Sequence, residues 1–155
     1  MLPTLRLGFV VTPPQLTRPL QAAKYVSDWH TALVAQHALA AFIEEGEFAR
    51  HVRRASKAYL MRHDLVASIL RRDFRDILEV MPSKAGMHLA ARGGPGFPAD
   101  REVLVRSAHD QGVAFHPLSM FSEAPMAGIA IGFGAIELED IPRGLKLLRT
   151  CFHRG

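Results

Sequence analysis

The chain opens on an apolar run that is typical of a buried β-strand. Residues 2–11 read LPTLRLGFVV, where one arginine interrupts a series of apolar and small side chains. The pattern predicts a strand over Arg6–Val11 that ends before Pro13 and Pro14, because proline cannot continue a hydrogen-bond ladder. A buried strand needs neighbours for its N–H and C=O groups. We therefore expect it to pair with another copy of the chain or, the interpretation we favour, with a further part of a larger protein.

Helical spacing dominates the next sixty residues. Small and apolar side chains recur every three or four positions over Gln15–Glu45, and Ser27, Asp28 and Thr31 are candidate caps at a break within that segment. Gly46 interrupts the pattern. A second long amphipathic helix is predicted over Glu47–Arg72, with the apolar stripe Phe48, Val52, Ala55, Tyr59, Val66, Ile69 and Leu70.

After Asp76 the pattern changes to short strands that alternate with helices. Turn residues separate the segments, and the Gly93–Pro98 loop is too rich in glycine and proline for regular structure. This order predicts an α/β (α+β) sandwich, in which a small mixed sheet carries helices on one face. The predicted strands are Ile77–Met81, Met87–Ala91, Val113–His116 and Ile129–Phe133; the predicted helices are Ala99–Gln111, capped by Gly112, and Glu139–Phe152.

Composition indicates a globular chain. The 155 residues are 48% hydrophobic and 22% charged, which is neither a disordered nor a membrane-spanning composition. A single cysteine, Cys151, excludes an internal disulfide framework and fits a reducing, cytoplasmic setting. The formal net charge of +4 does not by itself indicate nucleic-acid binding.

A basic run lies on the second long helix, at Arg50, Arg53, Arg54, Lys57 and Arg62. Glu44, Glu45, Glu47 and Asp64 dilute it, and no interleaved aromatic residues or helix-turn-helix pattern accompany it. We therefore interpret this run as a solvated helix face. The histidines and the cysteine show no zinc-ligand spacing, so no metal site is predicted.

Arg6 is the candidate binding residue. A guanidinium within an apolar, buried strand requires an anionic partner. That partner could be Asp28 or a glutamate, which would make the pair structural. It could instead be a phosphate group, which the planar fork of arginine donors fits well.

Several segments, in this order, resemble a known family. They are LPTLRLGFVVTP, QHALAAF, IEEGEFARHVRRASKAYLMRHDLV, AGMHLA, GVAFHPLSMF and IAIGF, and HVRRASKAY is the most specific of them. Together they resemble the C-terminal half of pyridoxal-phosphate proteins of aminotransferase fold type I. More narrowly, they are similar to the MocR subfamily of GntR transcriptional regulators, in which a winged-helix DNA-binding domain is fused to an aminotransferase-like domain.

The resemblance implies roles for particular residues. Arg6 matches the arginine of the family's Pro-x-x-Arg-Leu-Gly stretch, which binds the cofactor phosphate. The family's Schiff-base lysine precedes the proline that corresponds to Pro3, so the resemblance places it upstream of Met1 and absent from this chain. The family's substrate-carboxylate arginine stands in an Arg-x-x-Phe frame, and aligning Phe133 places Ala130 at its position. This departure fits an effector sensor better than an aminotransferase.

The resemblance also implies an organisation. Residues 1–45 would be a remnant of the large-domain strand and linking helix, and residues 46–155 the aminotransferase-like C-terminal small domain. We expect a homodimer that senses a small molecule, an amino acid or its pyridoxal-phosphate adduct, and that contacts DNA only through the absent winged helix. We expect no catalysis by this chain alone. The alternatives are a fragment of a genuine fold type I aminotransferase and a stand-alone interaction module.

Overall fold

The computed structural model of the chain describes residues 6–29, 32–84, 86–123 and 126–152. It divides into two compact units, residues 1–55 and 56–155. The helices are α1 (Pro14–Asp28), α2 (Leu33–Glu44), α3 (Glu47–Asp73), α4 (Arg101–Asp110) and α5 (Asp140–Cys151). The strands are β1 (Leu78–Val80), β2 (His88–Gly93), β3 (His116–Pro117) and β4 (Gly128–Gly132).

The first unit begins with an irregular segment. The predicted buried strand over Arg6–Val11 is wrong, because these residues form no strand and Phe9 and Val11 are 90% and 86% exposed. An apolar run supplies side chains for burial, but a strand also needs a neighbouring backbone, and no strand is described in this unit. The irregular segment ends where α1 begins, with Pro14 in the first helical turn, where proline loses no hydrogen bond.

The predicted helices and their breaks are confirmed. The segment predicted over Gln15–Glu45 is divided into α1 and α2 at residues 29–32, next to the candidate caps; of these, Thr31 lies outside the described residues. Gly46 separates α2 from α3 and adopts φ +75°, a left-handed conformation that favours glycine. The part of α3 that belongs to the second unit buries His63, Val66, Ala67, Ile69 and Leu70 along one face.

The second unit is built on a four-stranded sheet with the strand order β1-β2-β4-β3. All three strand pairs among the described residues are antiparallel, so the prediction of a mixed sheet is wrong in its strand directions. A 3-10 helix, Leu118–Phe121, follows β3 directly and was not predicted.

The hydrophobic core covers one face of this sheet. Leu89 pairs with Ile131, and Ala91 pairs with Ile129, so these four side chains point to the same side. All four are buried in one cluster with residues from α3, α4 and α5. The predicted arrangement, with helices on one face of a small sheet, is therefore confirmed. On α5 the buried residues follow helical spacing: Ile141, Leu145, Leu148 and Cys151.

Candidate cofactor-phosphate site and the outer face of the sheet

Arg6 lies in the irregular segment of the first unit, and its side chain is exposed. Its backbone has φ +48°, which is uncommon for a residue other than glycine. Among the described residues Arg6 has no hydrogen-bond or ion-pair partner. The sequence-based reason for an anionic partner, burial of the guanidinium, therefore does not hold, and the side chain of Asp28 lies outside the described part of the structure. Within the described part of the chain, Arg6 is an accessible cation whose N–H donors make no hydrogen bond.

The segment that follows Arg6 lies along α1 and encloses an open groove of about 470 Å³. Thr12 and Thr17 bring their hydroxyl oxygens within 3.3 Å of each other at the start of the helix. The groove has a polar side as well as an apolar one, because Lys24 and Ser27 line it together with Phe9 and Leu20. The hydroxyls of Ser27 and Thr12 already donate to the backbone carbonyls of Ala23 and Pro13.

Ala130 lies in the middle of the sheet in the second unit. It pairs with Ala90 on β2 and with His116 on β3, and its side chain points away from the core side chains of Ile129 and Ile131. Ala130 is buried, at 8% exposure. The position that the resemblance assigned to a substrate-carboxylate arginine therefore carries only a methyl group on the outer face of the sheet.

Three other side chains on this outer face bear nitrogen donors, and sequence reasoning did not assign them to it. They are His88, Arg92 and His116, all exposed. The His88 ring lies over Gly132, since a Cβ at residue 132 would be 3.3 Å from its Nε2. The ring of His116 contacts Phe121 edge to face, with centroids 6.1 Å apart. These residues share one face because β2 and β3 both pair with β4, which joins segments that are distant in the sequence.

The four lysines occupy solvent-exposed positions on helices and a turn. Lys24 lies on α1, Lys57 on α3, Lys84 before β2, and Lys146 on α5. A nucleophilic lysine needs an environment that favours the neutral amine, which burial or a neighbouring cation provides.

Within the described residues, no group of three or more potential ligands could hold a metal ion. None of the described helices combines the length and the apolar character needed to cross a bilayer.

Comparison with known proteins identifies relatives along nearly the whole chain. No family model matches the sequence. The chain is 37% identical over 154 residues to the probable rhizopine catabolism regulatory protein MocR of Rhizobium meliloti, covering 98% of this chain and 31% of that protein. It is 32% identical over 154 residues to the uncharacterised HTH-type transcriptional regulator YhdI of Bacillus subtilis, covering 98% of this chain and 32% of that protein.

The fold has matches among solved aminotransferases. The alpha-aminoadipate aminotransferase LysN of Thermus thermophilus, solved in complex with N-(5'-phosphopyridoxyl)-L-leucine, superposes with a TM-score of 0.85 at 25% identity. The superposition covers 98% of this chain and 39% of that protein. An archaeal alanine:glyoxylate aminotransferase superposes with a TM-score of 0.82 at 20% identity, over 97% of this chain and 37% of that protein, and this similarity concerns the fold alone.

The chain spans about a third of the length of the curated regulators that it matches. Relatives over that span include helix-turn-helix regulators, and the chain shares the fold of part of the solved aminotransferases. Over nearly its whole length the chain is therefore homologous to part of the MocR-type transcriptional regulators and has an aminotransferase-like fold.

Proposed function

We propose that this chain is part of the effector-sensing and dimerisation domain of a MocR-type transcription regulator and that it performs no chemistry by itself. The complete regulator would bind DNA through a winged-helix domain and respond to an amino acid or its adduct with pyridoxal phosphate. Because such a protein acts on DNA, we place it in the cytoplasm. The observation that carries this proposal is the identity of 37% and 32% to two regulators along 98% of the chain.

Arg6 is the residue that we propose for the cofactor phosphate. The fit rests on its chemistry: an exposed guanidinium, unpaired among the described residues, can donate two parallel hydrogen bonds to one phosphate group. When bound, pyridoxal phosphate supplies an aldehyde that combines with amines and a ring that withdraws electrons. The part assigned to Arg6 is to hold the phosphate end.

The Schiff-base lysine is proposed to lie outside this chain. All four lysines here are exposed, and a nucleophilic lysine is usually activated by desolvation in an apolar pocket or by a neighbouring cation. Neither Lys84, in the turn before β2, nor Lys146, on the solvent side of α5, is buried in a way that would favour the neutral amine. The chain would therefore contribute phosphate binding and a wall of the site, and another segment would provide the lysine.

The proposal also assigns the two parts of the chain to different domains of the parent protein. Residues 1–45 would belong with the large domain of the parent protein, and residues 46–155 would form the small domain. Large apolar side chains of the first unit are exposed, among them Phe9 at 90% and Val34 at 85%. Apolar surface of this extent is typical of an interface, and we propose that a homodimer covers it.

The test is to express the complete reading frame that contains this chain and to measure its binding to its own upstream DNA. We expect binding that changes when pyridoxal phosphate and an amino acid are added together, with no accumulation of a keto acid. An Arg6→Gln variant should lose the response to the cofactor and keep basal DNA binding. A protein that binds no DNA and converts amino acids to keto acids would refute the regulator proposal.

A genuine aminotransferase is the second candidate. The chain is 26% identical to a 2-aminoadipate transaminase of Thermus thermophilus, over 94% of this chain and 36% of that protein. Ala130 argues against it, because its methyl group offers no cation for a substrate carboxylate in the middle of the sheet. The assay for keto acid described above separates the two candidates.

A further inference from the structure

A cavity of about 400 Å³ lies between the C-terminal end of α3 and helix α5, within the second unit. Its walls are partly apolar, formed by Ile69, Phe74, Pro142 and Leu145. The charged residues that line it are three cations and one carboxylate: Arg72, Lys146, Arg149 and Asp73. The cavity plays no part in the function proposed above.

One donor group of Arg149 has no hydrogen-bond partner among the described residues. Its Nη2 donates to Asp76 Oδ2 at 2.8 Å, and its guanidinium carbon lies 5.5 Å from the centre of the Phe74 ring. Its Nη1, in contrast, is buried and has no hydrogen-bond partner among the described residues. A buried, charged N–H group without an acceptor costs free energy. We therefore expect an acceptor at this donor, such as a bound anion or water.

A second cation with free donors stands beside it. Lys146 lies on α5, three residues before Arg149 and therefore on the same side of the helix. Its ammonium group is exposed and makes no hydrogen bond or ion pair with the described residues. Arg72 is different, because its Nε and Nη2 already donate to Asp73 at 2.7 and 2.8 Å. The donor groups of the cavity that make no hydrogen bond with the described residues therefore include Arg149 Nη1, Lys146 Nζ and Arg72 Nη1.

We propose that this cavity binds a small phosphate group, either free inorganic phosphate or the phosphate of a monoester. The phosphate would accept hydrogen bonds from Lys146 Nζ and from Arg149 Nη1. Because Nη1 is buried, this contact requires the guanidinium to turn toward the ligand.

The nearby carboxylates limit the strength of this site. Asp73 is engaged by Arg72, and Asp76 is engaged by Arg149. Both repel a phosphate dianion, so we expect modest affinity and a preference for low ionic strength.

The experiment is a titration of the isotope-labelled 155-residue chain, followed by the NMR signals of its backbone amides. Inorganic phosphate and glycerol phosphate are the two ligands, and sodium chloride at matched ionic strength is the reference. We expect saturable shifts around residues 72–74 and 145–149 with the phosphates only. Lys146→Gln should weaken binding about tenfold. Arg143→Gln removes an exposed charge from the same helix outside the cavity, and it should leave the affinity unchanged.

The outcomes separate the alternatives. Equal affinity for the two ligands would indicate a site for free phosphate, and tighter binding of glycerol phosphate would indicate a phosphorylated metabolite. Shifts that grow linearly without saturation, or that also appear with sodium chloride, would show general screening and overturn the proposal. An equal loss of affinity in the Lys146→Gln and Arg143→Gln variants would also overturn it, since only the overall charge would then matter.

Discussion

Gly128 lies against the backbone of Ala91 so closely that a Cβ atom on residue 128 would stand 2.3 Å from the Ala91 carbonyl oxygen. The same Cβ would lie 2.7 Å from Cδ1 of Leu118. Gly128 also adopts φ +138°, a conformation that other residues rarely adopt. Close approach and backbone conformation thus both require glycine where β4 begins, between β2 and the 3-10 helix.

Gly128→Ala is accordingly expected to destabilise the second unit by at least about 2 kcal/mol, because the chain must relieve a clash with a backbone atom and also adopt a strained φ. The free energy of unfolding in urea, followed by circular dichroism, measures the effect. The matched control is Gly144→Ala. Gly144 lies inside α5, and a Cβ there would meet no atom within 4 Å, so alanine should stabilise the protein by up to about 1 kcal/mol. Equal effects of the two substitutions would contradict this interpretation.

Asp100 caps helix α4. Its side chain accepts hydrogen bonds from the backbone N–H groups of Glu102 and Val103, at 3.1 and 3.0 Å. Asp100→Ala leaves both donors without this acceptor and should reduce the free energy of unfolding by about 1 kcal/mol. Asp100→Asn retains a capping oxygen and should recover most of the loss. If asparagine were as destabilising as alanine, the carboxylate charge rather than the cap would be the cause.

The pKa of Asp73 is lowered from its ordinary value of 3.8, chiefly by the hydrogen bonds from Arg72. Burial opposes this shift, and the charges of Arg72 and Arg149 add to it. A lowered carboxyl pKa stabilises the folded state above the unfolded pKa, and that contribution is lost as the pH falls through the folded pKa. The effect is therefore fully present at neutral pH and disappears only in acid, and solvent screening keeps it small.

Arg72→Gln should raise the pKa of Asp73 toward 3.8, as measured by NMR titration of the side-chain carboxyl carbon. Arg71→Gln is the control, since Arg71 is exposed and makes no ion pair with the described residues. A titration of Asp73 that moved equally in both variants would indicate a general charge effect instead of the specific pair.

The exposed apolar residues of the first unit predict self-association. Val26 and Val34 are 81% and 85% exposed. The chain should therefore show a mass above its 17.1 kDa monomer in light scattering, and the mass should rise with concentration. Val34→Glu should shift the equilibrium toward monomer. Gln15→Glu introduces the same charge at an exposed polar position of the first unit and should leave the mass unchanged; a monomeric wild-type chain at all concentrations would contradict the prediction.

Local patterns predicted the helices well because apolar spacing and glycine at a helix end both act over only a few positions of the chain. The apolar stripe that ends in Ile69 and Leu70 specifies the face of α3 that is buried, and Gly46 marks the end of α2 through its own backbone preference. The predicted strands were also found within a few residues of their expected bounds, apart from the one over Arg6–Val11.

The features that sequence reasoning missed depend on partners distant in the chain. The antiparallel directions of the described strand pairs and the pairing of His116 with Ala130 depend on how strands distant in the sequence are arranged in the sheet. The candidate phosphate residue Arg6 was predicted to be buried because apolar neighbours flank it. Burial of such a run depends on what packs against it, and Phe9 and Val11 are instead exposed in this structure.

The sharpest prediction concerns pyridoxal phosphate and the lysines. Selective covalent attachment requires an activated amine beside the bound ring, and burial or a neighbouring cation provides that activation. The four lysines are instead all exposed: Lys24, Lys57, Lys84 and Lys146. After incubation of the chain with pyridoxal phosphate and reduction with borohydride, peptide mapping should therefore find substoichiometric label scattered over several lysines. Arg6→Gln should leave this labelling pattern unchanged, because phosphate binding by an arginine does not activate an amine. Stoichiometric labelling of one lysine would instead identify a Schiff-base residue within the chain, and it would overturn the proposal that another segment of the regulator provides it.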